Sequence, residues 1–170
     1  CAMTAETAPM AVTMTNSTIR YSNNQGIELA DQAAAIINTN TITNNNGSGM
    51  TIGNTVAGQI AGNTLSDNGG TPISMAPSSV GMLGENTGAD NGNNIIEIWG
   101  GEITSTCTWS WSQTATSFPY VVTGNISVLA AESNGTPAVL TIAPGATIRF
   151  ASGAGLSIGS GDRPGALRAI

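Results

Sequence analysis

Displaced against itself by 23 residues, the N-terminal two thirds of this chain fall into register. Ile27, Met50, Ile73 and Ile96 align, and two positions on so do Leu29, Ile52, Met75 and Ile98. Met14, Ile37, Ile60 and Leu83 make a third apolar column, and Ile19, Ile42 and Leu65 a fourth, which fails at Gly88. A repeat this short cannot enclose a core alone. Its apolar face has to be buried by copies stacked above and below. Within each unit the triplets Ile27-Glu28-Leu29, Met50-Thr51-Ile52, Ile73-Ser74-Met75 and Ile96-Glu97-Ile98 alternate apolar and polar, the period of a strand with one face inward. Asn44-Asn45-Asn46-Gly47 and Asp67-Asn68-Gly69-Gly70 carry turn chemistry between them. The expectation is an all-β solenoid of 23-residue coils, each holding two or three strands that pair with their equivalents about 4.8 Å away.

Two polar columns share the period: Ser17, Asn40, Asn63 and Asn86, then Ser22, Asn45, Asn68 and Asn91. Asn40 has the parity of Ile42 and should point inward. A buried amide is costly unless bonded, so these columns predict ladders in which each side chain serves the next coil.

The consensus is Ile-x-x-Asn-Thr-Ile-x-x-Asn, a Gly-containing turn, then Ile-x-Ile, best seen from Ile37 to Ile52. It resembles the parallel β-helix repeat of the pectate-lyase-like superfamily, in the NosD-like variant found in periplasmic copper-pathway and carbohydrate-binding proteins. The resemblance covers Met14 to Trp99. It implies a right-handed parallel β-helix in a bacterial secreted or surface protein. It does not imply one function, because that superfamily holds lyases, hydrolases, phage tailspikes, adhesins and non-catalytic modules.

After Gly101 the register breaks. The organisation read from the sequence is residues 1–103 as 23-residue coils, residues 104–120 as a junction rich in Trp, Ser and Thr without a coil pattern, and residues 121–170 as the start of a second, triangular β-helix segment. In that segment Leu140/Ile142, Ile148/Phe150 and Leu156/Ile158 are apolar pairs spaced by eight. The sequence stops at Ile170 in mid-coil, which would leave an apolar end uncapped. A fragment of a longer protein is expected, and end-to-end self-stacking is the expected contact between copies.

Charge narrows the partners. Charged residues make up 8% of the chain, the net charge is −6, and there is no His; the only cations are Arg20, Arg149, Arg163 and Arg168. A nucleic-acid partner is excluded for want of a basic stripe, and no apolar run approaches the roughly 20 residues of a membrane span. An extracellular or cell-surface location is expected. Cys1 suits either lipidation or a truncated start, and nothing in the sequence pairs it with Cys107.

Three groups of side chains are candidate sites. Asp67 and Asp90 stack in one column, where two carboxylates would suit Ca²⁺ or acid–base work; otherwise they are solvated turn acids. No cofactor is expected beyond that possible Ca²⁺. Thr18, Thr41, Thr64 and Thr87 form an outward column of the kind that orders water in ice-binding proteins, beside a ragged second rank of Arg20, Thr43, Ser66 and Ala89. Trp99, Trp109 and Trp111 cluster near the junction, either as stacking platforms for sugar rings or as a plug in the seam. Catalysis needs groups poised to exchange protons, and the chain has neither imidazole nor amine side chains. The expectation is a non-catalytic structural or adhesive surface module contacting a polysaccharide or cell-surface glycan. The alternatives are a fragment of a polysaccharide lyase or glycoside hydrolase, and an ice-binding protein.

Overall fold

The computed structural model describes residues 11–54, 57–110 and 118–170. The chain winds as a parallel β-solenoid of about seven turns with very little helix. Its strands lie on five stacks. Face A holds β1 (Ala11–Thr15), β4 (Ala34–Asn38) and β7 (Ala57–Ala61), and face B holds β2 (Thr18–Arg20), β5 (Thr41–Thr43) and β8 (Thr64–Ser66). Face C is the longest, six strands: β3 (Ile27–Leu29), β6 (Met50–Ile52), β9 (Ile73–Met75), β10 (Ile96–Ile98), β13 (Tyr120–Val122) and β16 (Ile148–Phe150). Face D holds β11 (Gly101–Ile103), β14 (Ile126–Val128) and β17 (Leu156–Ile158), and face E holds β12 (Cys107–Trp109), β15 (Ala138–Ile142) and β18 (Gly165–Ala169).

The pairing reproduces the apolar columns. Ile27 pairs with Met50, Met50 with Ile73 and Ile73 with Ile96, all parallel. Met14, Ile37, Ile60 and Leu83 stack likewise, as do Ile19, Ile42 and Leu65. Ile37, Ile42, Met50, Ile52, Ile60, Leu65, Ile73 and Met75 have no exposed surface, so each coil's inward pair is covered by the coils on either side.

Both asparagine ladders form. The Asn63 amide donates to Asn86 Oδ1 (2.8 Å) and to the Ile37 carbonyl (2.8 Å), while Asn63 Oδ1 accepts from the backbone N–H (2.9 Å) and side chain (3.0 Å) of Asn40. The second ladder runs from Ser22 through Asn45 and Asn68 to Asn91 by the same bonds. Past Asn91 the next bond is made within the same coil. Asn94, three residues on, turns back and accepts from both the backbone and the side chain of Asn91.

One backbone feature precedes each ladder. Tyr21, Asn44, Asp67 and Asp90, one per coil, all have φ between 55 and 65°, and ahead of the first ladder Asn16, Thr39 and Gly62 have φ of 51, 58 and 66°. The left-handed residue turns the chain so that the next amide points inward.

The regular coil ends in the fourth turn. A 3₁₀ turn, Pro77–Met82, occupies the place where a face A strand would begin and leads into Leu83, which bridges to Ile60. Gly88, due in the fourth apolar column, sits at φ +148, and a Cβ there would run into the Leu65 carbonyl. The coils then lengthen: Ile96 pairs with Tyr120, 24 residues on, and Tyr120 with Ile148, 28 on. Face C runs unbroken across this change. The stretch 104–120, expected to lack a coil pattern, contributes β12: Cys107 and Trp109 alternate around Thr108 in register with Leu140 and Ile142.

Candidate functional site

The tryptophans separate. Trp109 lies in the core, 2% exposed, so it presents no face to a sugar and does not serve as a binding platform. It stacks over Ile142, and its Nε1 has no hydrogen-bond partner among the described residues. Cys107 faces the same way two residues earlier. Burial pushes its thiol up to about 11, partly offset by the Trp109 side chain beside it, a weak polar contact and not a formed hydrogen bond. The Tyr120 hydroxyl, also buried, is pushed well above its ordinary range by desolvation. Trp111 and Cys1 lie outside the described residues.

Trp99 is different. It follows β10 on the outside of face C and is half-buried. Its Nε1 donates to Ser74 Oγ in the preceding coil (2.6 Å), and Ser74 Oγ donates to Glu97 Oε2 (2.7 Å). Thr123, one coil further, shares its one hydroxyl proton between Glu97 Oε1 and the Ile98 carbonyl, both 3.3 Å from Oγ1. The indole is thus pinned over Ser74, which is 6% exposed although it points outward. Both Glu97 oxygens are held, which fixes the carboxylate beside the ring.

The surroundings leave the ring room. Along the stack the outward mid-strand positions are Glu28, Thr51, Ser74, Glu97, Val121 and Arg149. Two positions on in each coil the rank reads Ala30, Gly53, Ala76, Trp99, Thr123 and Ala151; backbone bonds such as Ala76 N–H to Ile52 O and Trp99 N–H to Met75 O keep it in step. Trp99 is the one large side chain in a rank of small ones. The Trp99–Ser74 bond has no signal in the sequence, because the two residues are 25 apart, off the period of the columns.

Asp67 and Asp90 do stack, on exposed turns, with the Asp67 N–H bonded to the Ala89 carbonyl. Their column is the left-handed one, and Asp and Asn tolerate that conformation better than most residues, which accounts for acids there without a ligand. Among the described residues no three acidic, Cys or His side chains lie close enough together to hold a metal ion.

The threonine column is in register, Thr18 to Thr41 to Thr64, with a bridge on to Thr87. In the rank beside it hydroxyls are engaged internally: Thr43 Oγ1 accepts from Asn44 and Ser66 Oγ from the Ala89 N–H. Arg20 breaks that rank and lies over the Tyr21 ring, 5.0 Å from its centroid.

No helix among the described residues is long and apolar enough to cross a membrane. Neither a curated protein nor a solved structure matches the chain. Residues 3–114 match the family model of the right-handed β-helix region, well over half of the sequence. The stacked parallel coils and that match agree, and the chain belongs to the right-handed β-helix family.

Proposed function

We propose that this protein is a non-catalytic structural and adhesive module, displayed outside the cell, that contacts glycans through face C. The observation behind the reading is Trp99: a half-buried indole fixed by Ser74 beside a carboxylate whose two oxygens are held by hydroxyl donors. Sugars are recognised by a ring face with polar groups at its edge, and a pinned indole loses little freedom on binding. The residue chemistry speaks against turnover. The chain has no His and no Lys, Glu97 is engaged by Ser74 and Thr123, and Glu102 is paired with Arg163 at 2.9 Å. That leaves few groups poised to exchange a proton with a substrate.

The test is retention of the purified chain on immobilised polysaccharides, alongside incubation with pectin, alginate and β-glucans, with and without Ca²⁺. Retention without new reducing ends or unsaturated uronates supports the module. Turnover lost in Asp67→Asn or Asp90→Asn would promote the lyase or hydrolase alternative.

A further inference from the structure

Resting on the glycan reading, we infer that the strip of face C centred on Trp99 binds an uncharged, hydroxyl-rich linear polysaccharide laid along the solenoid axis. Three features of the strip carry this. It is low: Ala30, Gly53 and the buried Ala76 precede Trp99 in its rank and Thr123 and Ala151 follow, so the indole is the one large side chain of that rank. It repeats at the spacing of paired strands, about 4.8 Å, close to the length of one sugar ring, so successive rings meet successive coils. Its two carboxylates are acceptors only. Glu97 keeps spare lone pairs on both oxygens beyond the bonds from Ser74 and Thr123, and Glu28, bonded to the Gln25 amide, stands exposed three strands away.

An ionised carboxylate accepts hydrogen bonds and donates none, so its ligand has to bring the donors. Sugar hydroxyls do this. A uronate polymer would instead set its own carboxylates against Glu28 and Glu97, in a chain of net charge −6, with Arg149 as the one cation of the rank. That field repels polyanions. A neutral glycan has one ring stacked on Trp99 and a hydroxyl donating to Glu97.

The experiment is affinity electrophoresis and calorimetry of the whole chain with neutral β-glucans and their oligosaccharides, set against polygalacturonate and alginate at low and high salt. Neutral polymers are expected to bind, with affinity rising along the oligosaccharide series until the oligomer outruns the strip. Trp99→Ala should weaken binding about tenfold or more, and Trp99→Phe should recover part of it. Because Trp99→Ala also uncovers Ser74, a second variant guards against loss of fold. Thr51→Arg adds bulk to the strip away from the indole network, and should lower binding while leaving the melting temperature in place. Preference for polygalacturonate or alginate would overturn the uncharged assignment and leave glycan contact standing. Neutral binding indifferent to both Trp99→Ala and Thr51→Arg would place the contact elsewhere and overturn the site. Binding to none of the polymers would remove the glycan reading and this inference together.

Discussion

Asn63 is bonded on every side: its oxygen serves Asn40, its amide serves Ile37 and Asn86, and it has no exposed surface. Asn54 is exposed, its one side-chain bond to the described residues a 3.5 Å contact from Ser78. Truncating Asn63 to Ala takes the acceptor from the buried Asn40 N–H and a donor from the Ile37 carbonyl, at about 1–3 kcal/mol for the stranded N–H. Asn63→Ala is therefore expected to lower the urea midpoint far more than Asn54→Ala; equal midpoints would mean the ladder contributes nothing. Cys107 gives a prediction in pH. Its thiol and the Tyr120 hydroxyl both hold their protons more tightly folded than unfolded. The folded state then binds more protons than the unfolded one, and stability falls as pH rises. For Cys107 the fall should begin near the ordinary thiol value of 9.0 and continue to about 11. Urea midpoints measured at pH 7, 9 and 10.5 should decline, and Cys107→Ala should flatten part of the decline. At pH 7 the thiol should alkylate slowly, because it is protonated and half-buried.

At the scale of strands and turns, the sequence and the backbone disagree at Gly88. The column Ile19, Ile42, Leu65 invites an aliphatic residue there, and Gly88→Leu would restore it on paper. The backbone sits at φ +148 with the Leu65 carbonyl where the Cβ would go. Gly88→Leu is expected to destabilise by about 1–3 kcal/mol or more, read as a lower melting temperature. A stabilised variant would show that the coil relaxes into the regular form. The same contrast explains what was legible. Faces A, B and C could be read because Ile37, Met50 and Leu65 have equivalents at a constant step, and a repeated error in register would put every apolar side chain outside. Strand β12 could not be read this way: Cys107 meets Leu140, 33 residues on, with no repeat to reveal it. Cys107 and Trp109 showed the alternation of a strand but not which side faced in. The left-handed turns were hidden because Tyr21 and Thr39 occupy them along with Asn and Asp, and only the pairing shows them as one structural position. The candidate site was half visible. Trp99 stood out as a residue type, whereas Ser74, Glu97 and Thr123 read as ordinary outward strand positions until the coils were stacked.

As a whole the molecule is nearly one-dimensional. Each coil is bonded to the one before and the one after, and contacts between distant coils are few, so stability is a sum of neighbour terms and not the property of one closed core. Charge contributes little to that sum: Arg163 with Glu102 is the one ion pair among the described residues, and both side chains are substantially exposed. Local opening should therefore follow position along the axis. Strands β6, β9 and β10 are paired on both sides, and Met50, Ile73 and Ile98 are closed off from water. Strands β16, β17 and β18 are each paired on one side, with Phe150 45%, Ile158 40% and Leu167 46% exposed. Freeing one of these edge strands breaks a single row of hydrogen bonds and exposes apolar side chains that are already half wet. Freeing β9 requires parting the solenoid on both sides. In hydrogen exchange of the 170-residue chain, the amides of β6, β9 and β10 should exchange only through global unfolding, with their rates tracking the urea-derived stability. Those of β16 to β18 should exchange orders of magnitude faster, with β13 and β14 between. Uniform protection from β6 to β18 would mean that the coils open as one unit, and the neighbour-sum description would fail.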